Sequence, residues 1–154
     1  MSEESPADFE LMELLFFAYR DFISDPDQIL QRYDFGRAHH RVVHFVWRNP
    51  GIRVAELLDI LNITKQSLGR VLRQLIRQGF IYQREGKTDR RQRLLFVTDE
   101  GRKLALSLAA PQIARIRSAL AQPNAGSEDT LRTVLTGLVN PEERDRVLRR
   151  INRQ

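Results

Sequence analysis

The 154-residue chain contains no cysteine, which removes disulfides, thiolate metal sites and cysteine-based redox sensing together. No apolar run approaches the roughly 18 residues that a membrane-spanning helix needs. The N-terminal stretch MSEESPADFE is acidic and lacks the basic-then-apolar order of a secretory signal. A cytoplasmic protein without a membrane partner is therefore expected. Enzyme signatures are missing as well. There is no Gly-rich phosphate loop, no Cys–His pair, no HExxH and no pair of carboxylates in a pocket-like context.

What is present is a globular composition, 42% hydrophobic and 29% charged, at a length that suits one domain with a real core. The net charge of +5 is modest, but its distribution is uneven. From Thr64 to Arg93 nine basic residues face two acidic ones, a net of +7 that leaves about −2 for the remainder. Charge gathered in one segment is the footprint of polyanion binding, although a solvated face is the plain alternative.

The periodicity is mostly helical. Glu10 to Ile23 reads as a first helix ending near Asp25-Pro26. Its aromatic residues Phe16, Phe17, Tyr19 and Phe22 spread over more than one face, so it needs burial on most sides, as a subunit interface provides. A second helix from Gly36 to Arg48 stops at Asn49-Pro50-Gly51. Val54 to Leu61 and Thr64 to Gln78 then repeat the i, i+3, i+4 apolar pattern across the short link Asn62-Ile63. Two short amphipathic helices so joined mark a helix-turn-helix.

Thr64 suits the N-cap of the second of these helices. Lys65, Gln66, Ser67, Gly69, Arg70, Arg73 and Arg77 cover its outward faces, and no acidic residue falls between Thr64 and Arg84. Short polar and amide side chains near a helix N-terminus reach base edges, while arginines reach bases or phosphates. Gly69 costs the helix roughly 1 kcal/mol relative to alanine. It suits either close approach of a DNA backbone or close helix packing.

After Gly79 the period shortens. Residues 80–84 and 93–97 are β-rich and are separated by eight mostly polar residues, which predicts an antiparallel hairpin with a long basic loop. Thr98 then caps a helix that begins Asp99-Glu100, and Pro111 is expected to kink or split it. Residues 122–127 read as a loop, followed by amphipathic pieces Glu128 to Leu138 and Glu142 to Ile151.

The order of these elements resembles the winged helix-turn-helix of the MarR family of bacterial transcription regulators, continuously from about Pro50 to Leu104. The residues that carry the resemblance are Glu56-Leu57, Thr64 to Ser67, Leu75 to Phe80, Asp89-Arg90-Arg91 and Val97-Thr98-Asp99-Glu100-Gly101, with Val97 standing where leucine is usual. The run AHHRVVHFVWRNP is similar to the PetP-type branch of that family.

The resemblance implies a mainly α fold with a small antiparallel β hairpin. It places a dimerisation helix in residues 1–34, the winged DNA-binding domain in 35–100 and further dimerisation helices in 101–154. It also implies a homodimer reading palindromic double-stranded DNA, with recognition helices roughly 34 Å apart. Lys65, Gln66, Ser67 and Arg70 would read the site, with Thr64 shared between cap and phosphate contact. Arg53, Arg73, Lys87 and Arg90 would touch the backbone, which positions without specifying. Arg91 would enter the minor groove, aimed by Asp89 pairing with a nearby cation.

All three histidines, His39, His40 and His44, lie on the second helix. His40 and His44 share a face, but zinc needs more ligands than these. A metal or haem completed from a partner subunit is the sharper reading, and packing or hydrogen bonding is the plainer one. No resident cofactor is expected. The family's effector groove makes Arg20, His40, His44 and Trp47 candidate lining residues for a small-molecule effector, although Trp47 suits the core better. The rival function is a winged-helix module for protein or RNA contact, against which stand the basic helix face and the lack of an aromatic platform for single-stranded bases.

Overall fold

A computed structural model of the chain describes residues 5–153; Met1 to Glu4 of the acidic N-terminus, and Gln154, lie outside the described residues. Two compact units are formed, residues 1–112 and 113–154.

The first unit opens with α1 (Pro6–Ser24), a turn longer at its start than the periodicity predicts, with proline in its first turn. None of its residues is buried, and Leu11, Phe16 and Tyr19 are 68%, 64% and 60% exposed. Buried Pro26 ends the helix run and leads into α2 (Asp27–Gln31). This element was not anticipated, because five residues are too few to show a period. Next comes α3 (Arg37–Arg48), whose Val42, Val43 and Val46 enter the core.

The expected hairpin is part of a three-stranded sheet. β1 (Ile52–Arg53) pairs antiparallel with β3 (Arg93–Val97), which pairs antiparallel with β2 (Ile81–Glu85), in the order β1-β3-β2. Two residues carry no alternation to read. What recruits β1 is the turn before it, where Gly51 takes φ +83° and its N–H donates to the Leu95 carbonyl at 2.8 Å. Ile52, Leu95 and Ile81 point into the core, while Arg53, Leu94 and Arg84 share a row on the opposite face beside the paired Tyr82 and Phe96.

Between β1 and β2 lie α4 (Val54–Leu61) and α5 (Lys65–Arg77), joined through Asn62 in the left-handed region at φ 52°. Asparagine is among the few non-glycine residues that take that conformation readily. Leu57 and Leu61 of α4 meet Leu68, Val71, Leu72 and Leu75 of α5 in one core, with Leu30, Phe35 and Phe80.

The core is closed by Leu104, Ala105 and Leu108 of α6 (Asp99–Leu120). Thr98 fastens the start of this helix. Its hydroxyl donates to the Gly79 carbonyl at 2.6 Å and accepts from the Gly101 N–H at 3.0 Å. Gly101 is obligatory, since a Cβ there would stand 2.0 Å from the Phe80 carbonyl oxygen. Pro111 does not split α6, which runs through it as one helix. A proline removes one backbone bond, and the turns on either side keep theirs.

The second unit contains α7 (Glu128–Leu138), capped by Ser127 accepting from the Thr130 N–H at 3.1 Å. The last expected helix begins instead as a 3-10 turn, Pro141–Glu143, and continues as α8 (Arg144–Ile151). Arg144 donates to the Val139 and Gly137 carbonyls at 3.0 and 2.7 Å, satisfying acceptors that the end of α7 leaves open. Val134, Leu135, Leu138 and Ile151 of this unit are exposed.

Candidate nucleic-acid interface

The outward face of α5 is assembled from its first turn. The Thr64 hydroxyl accepts from the Ser67 N–H at 3.1 Å and donates to Ser67 Oγ at 2.8 Å. Thr64 is thus committed to the cap, and Ser67 keeps its own hydroxyl hydrogen free to donate outward. Lys65, Gln66, Arg70 and Arg73 are exposed, and Ser67 is half-buried. Gly69 lies among them with no close packing partner, for a Cβ there would meet only Arg73 Nη1 at 3.5 Å. Close helix packing is therefore not what the glycine provides.

The wing loop, residues 86–92, is held by its own backbone. Gly86 N–H donates to the Gln92 carbonyl at 2.9 Å, and Gln92 N–H donates to the Asp89 carbonyl at 3.1 Å. A Cβ on Gly86 would stand 2.5 Å from that same Asp89 oxygen, which explains glycine there. The Asp89 carboxylate accepts from the Arg91 backbone N–H at 2.9 Å. Asp89 so braces the turn that presents Arg91 through the main chain rather than through a cation. Lys87, Arg90 and Arg91 are all exposed.

Electrostatically the face is one-sided. Among the described residues no ion pair engages Lys65, Arg70, Arg73, Lys87, Arg90 or Arg91. Arg53 differs, with its Nε 2.7 Å from Glu56 Oε1. Sequence reasoning passed over Arg84, whose guanidinium carbon lies 5.3 and 5.4 Å from the Tyr82 and Phe96 ring centroids. The cross-strand register places those three residues on one face.

The histidines divide. His39 Nδ1 accepts from the Gly36 N–H at 3.0 Å, so its Nε2 carries the hydrogen and donates to Gln74 Oε1 of α5 at 2.5 Å. It stacks on Phe35 with centroids 4.5 Å apart. This packed histidine ties α3 to α5. His40 is buried, and burial, then His44 and Arg41, press its pKa down to about 4 against a weak opposing pull from Asp27. His44 is lowered too, by burial and then by Arg48. Its ring meets Phe45 and Trp47 edge-on at 5.1 and 6.3 Å, and Trp47 packs partly buried against the core. Arg20 is engaged on α1, 2.8 Å from Asp21 and over the Phe17 ring. Among the described residues no three His, Cys, Asp or Glu side chains gather as a metal site, and no helix is long and apolar enough to cross a membrane.

A capped basic helix following a short helix, with a three-stranded sheet and a basic loop beside it, defines the winged helix-turn-helix class. The chain belongs to the MarR family of transcriptional regulators: the profile of that family matches residues 33–92. The transcriptional regulator PetP of Rhodobacter capsulatus is 44% identical over 133 residues, 86% of this chain and 80% of that one. Solved structures agree in fold. FabT of Streptococcus pneumoniae in complex with DNA superposes with a TM-score of 0.68 at 19% identity, covering 90% of this chain and 97% of that one. The repressor CouR bound to a 23-mer DNA duplex gives 0.67 at 23%, covering 90% and 100%.

Proposed function

We propose that the chain acts as a homodimer that binds palindromic duplex DNA, with α5 in the major groove and Arg91 in the minor groove. The observation that carries this reading is the uncompensated positive face of α5 and the wing, where six exposed cations have no carboxylate partner among the described residues. Burying an unpaired basic face against phosphates releases counterions and drives association. Lys65, Gln66, Ser67 and Arg70 read bases; Arg73, Lys87 and Arg90 touch the backbone. Arg53 joins them by sharing its charge with Glu56, Thr64 serves as the cap, and Asp89 holds the wing turn.

Dimerisation is supported by the exposed apolar residues of α1, and separately by those of the second unit. Within residues 1–34 and 101–154 that interface falls to the exposed apolar positions, not to Leu30, Leu104, Ala105 and Leu108 of the core, and residues 35–100 supply the DNA-binding part. Against single-stranded RNA, the outward Tyr82–Phe96 ring pair that could stack a base, a platform the sequence did not lead one to expect, lies under the Arg84 guanidinium. A small-molecule effector would act near buried His40 and the half-buried rings of His44 and Trp47, with Arg20 of α1 as its charged partner. The protein works in the cytoplasm, where its DNA target lies.

The test is a titration of the purified chain against a fluorescent duplex over a range of salt. Affinity falling steeply and log-linearly with salt supports the reading; salt-independent or absent binding refutes it.

A further inference from the structure

Building on the DNA-binding reading, we propose that Arg84 is a further phosphate contact, held ready by the Tyr82–Phe96 ring pair on the outer face of the sheet. Tyr82 and Phe96 are direct cross-strand partners, stacked with centroids 5.4 Å apart and planes 17° from parallel. Arg84 follows two residues after Tyr82 on the same strand face, and its guanidinium carbon sits nearly equidistant from the two rings, at 5.3 and 5.4 Å. The strand ends at Glu85, so Arg84 stands at the base of the basic wing loop.

The chemistry of this arrangement is specific. Ring faces attract a guanidinium through their quadrupole but accept none of its five N–H groups in its plane. An arginine held over ring faces therefore keeps N–H donors free, and its planar fork matches a phosphate. Among the described residues Arg84 has no carboxylate within ion-pair distance, whereas Arg53, in the same cross-strand row beyond Leu94, is paired with Glu56. The two arginines of that row are thus unequal: one is neutralised locally, and the other is oriented and left charged. Prior orientation also reduces the rotamer freedom lost on binding. The rings are positioning residues, acting through Arg84. A bare ring pair would suit a stacked base instead, but here the cation lies over both rings.

The test uses the full chain and a random-sequence fluorescent duplex, with affinity measured across salt. Arg84→Ala should make the log–log salt slope shallower by about 0.9, one phosphate contact. Its affinity should fall on the order of tenfold on all duplexes alike, as loss of one charge-assisted bond predicts. Tyr82→Leu should weaken binding about twofold in the unaltered chain and not at all in the Arg84→Ala background, while Tyr82→Phe should bind normally. An unchanged slope in Arg84→Ala, with the parent chain binding well, overturns this assignment alone. So does an equal cost of Tyr82→Leu in both backgrounds, or a gain in single-stranded affinity on removing Arg84, which would make the rings a base platform. A parent chain that binds no duplex overturns the DNA-binding reading and this assignment with it.

Discussion

Alanine at Gly69 tests the recognition face with a sign that two explanations predict differently. Replacing a helix-interior glycine by alanine stabilises by about 1 kcal/mol when nothing opposes the methyl. Nothing does: the new Cβ would have only Arg73 Nη1 nearby, at 3.5 Å, an ordinary contact with the movable end of a side chain. For a chain of this size the gain should raise the melting temperature by about 2–4 °C. The same methyl would protrude from the face that carries Lys65, Gln66 and Arg73, one turn away on either side. If that face lies against DNA, affinity should fall about tenfold, or about 1.4 kcal/mol. Differential scanning calorimetry and duplex titration on the same preparation read both quantities. A lower melting temperature would refute the stability reasoning, and undiminished DNA affinity would show that the helix backbone does not approach the duplex.

Gly101→Ala should behave oppositely, because its methyl collides with the Phe80 carbonyl 2.0 Å away; we expect a loss of about 2–3 kcal/mol in denaturant unfolding, and a stabilised variant would contradict the packing described. Asp89→Ala separates charge from bracing. Removing a negative charge beside DNA should strengthen binding, whereas losing the bond to the Arg91 N–H should weaken it, and the bracing role of that 2.9 Å bond predicts net weakening. Stability should also respond to pH through His40. Its pKa is lowered from 6.5 to about 4 in the folded chain, so between those values the unfolded state holds more protons. Stability is then full above pH 6.5 and declines as pH falls toward 4, with His44 adding in the same direction. His40→Gln should flatten that decline in denaturant midpoints, and an identical profile would remove His40 as its cause.

Local chemistry was legible where it repeats or caps. Thr64 as an N-cap, the apolar stripes of α4 and α5, and the bounds of α7 all follow from spacing and from the needs of helix ends. Elements too short to show a period were not: α2 has five residues, closed by local bonds and anchored in the core by Leu30, and β1 has two, recruited by pairing with β3. The continuous α6 shows the converse, with a strong local breaker at Pro111 outvoted by the helix around it. In the candidate interface the residue types could be named but not their partners. Asp89 was expected to meet a cation and instead takes a backbone N–H. His39, grouped by sequence with its neighbours, turns to Gln74 from 35 residues away. Arg84 looked like one more charge in a basic run until the β2–β3 register set two rings beneath it.

The central claim is tested most directly by selecting binding sites for the intact chain from a randomised duplex library. A two-fold symmetric consensus with half-sites about ten base pairs apart is the predicted result. Recovery of no enriched sequence, or of an asymmetric single half-site, would contradict a dimer that reads duplex DNA through α5.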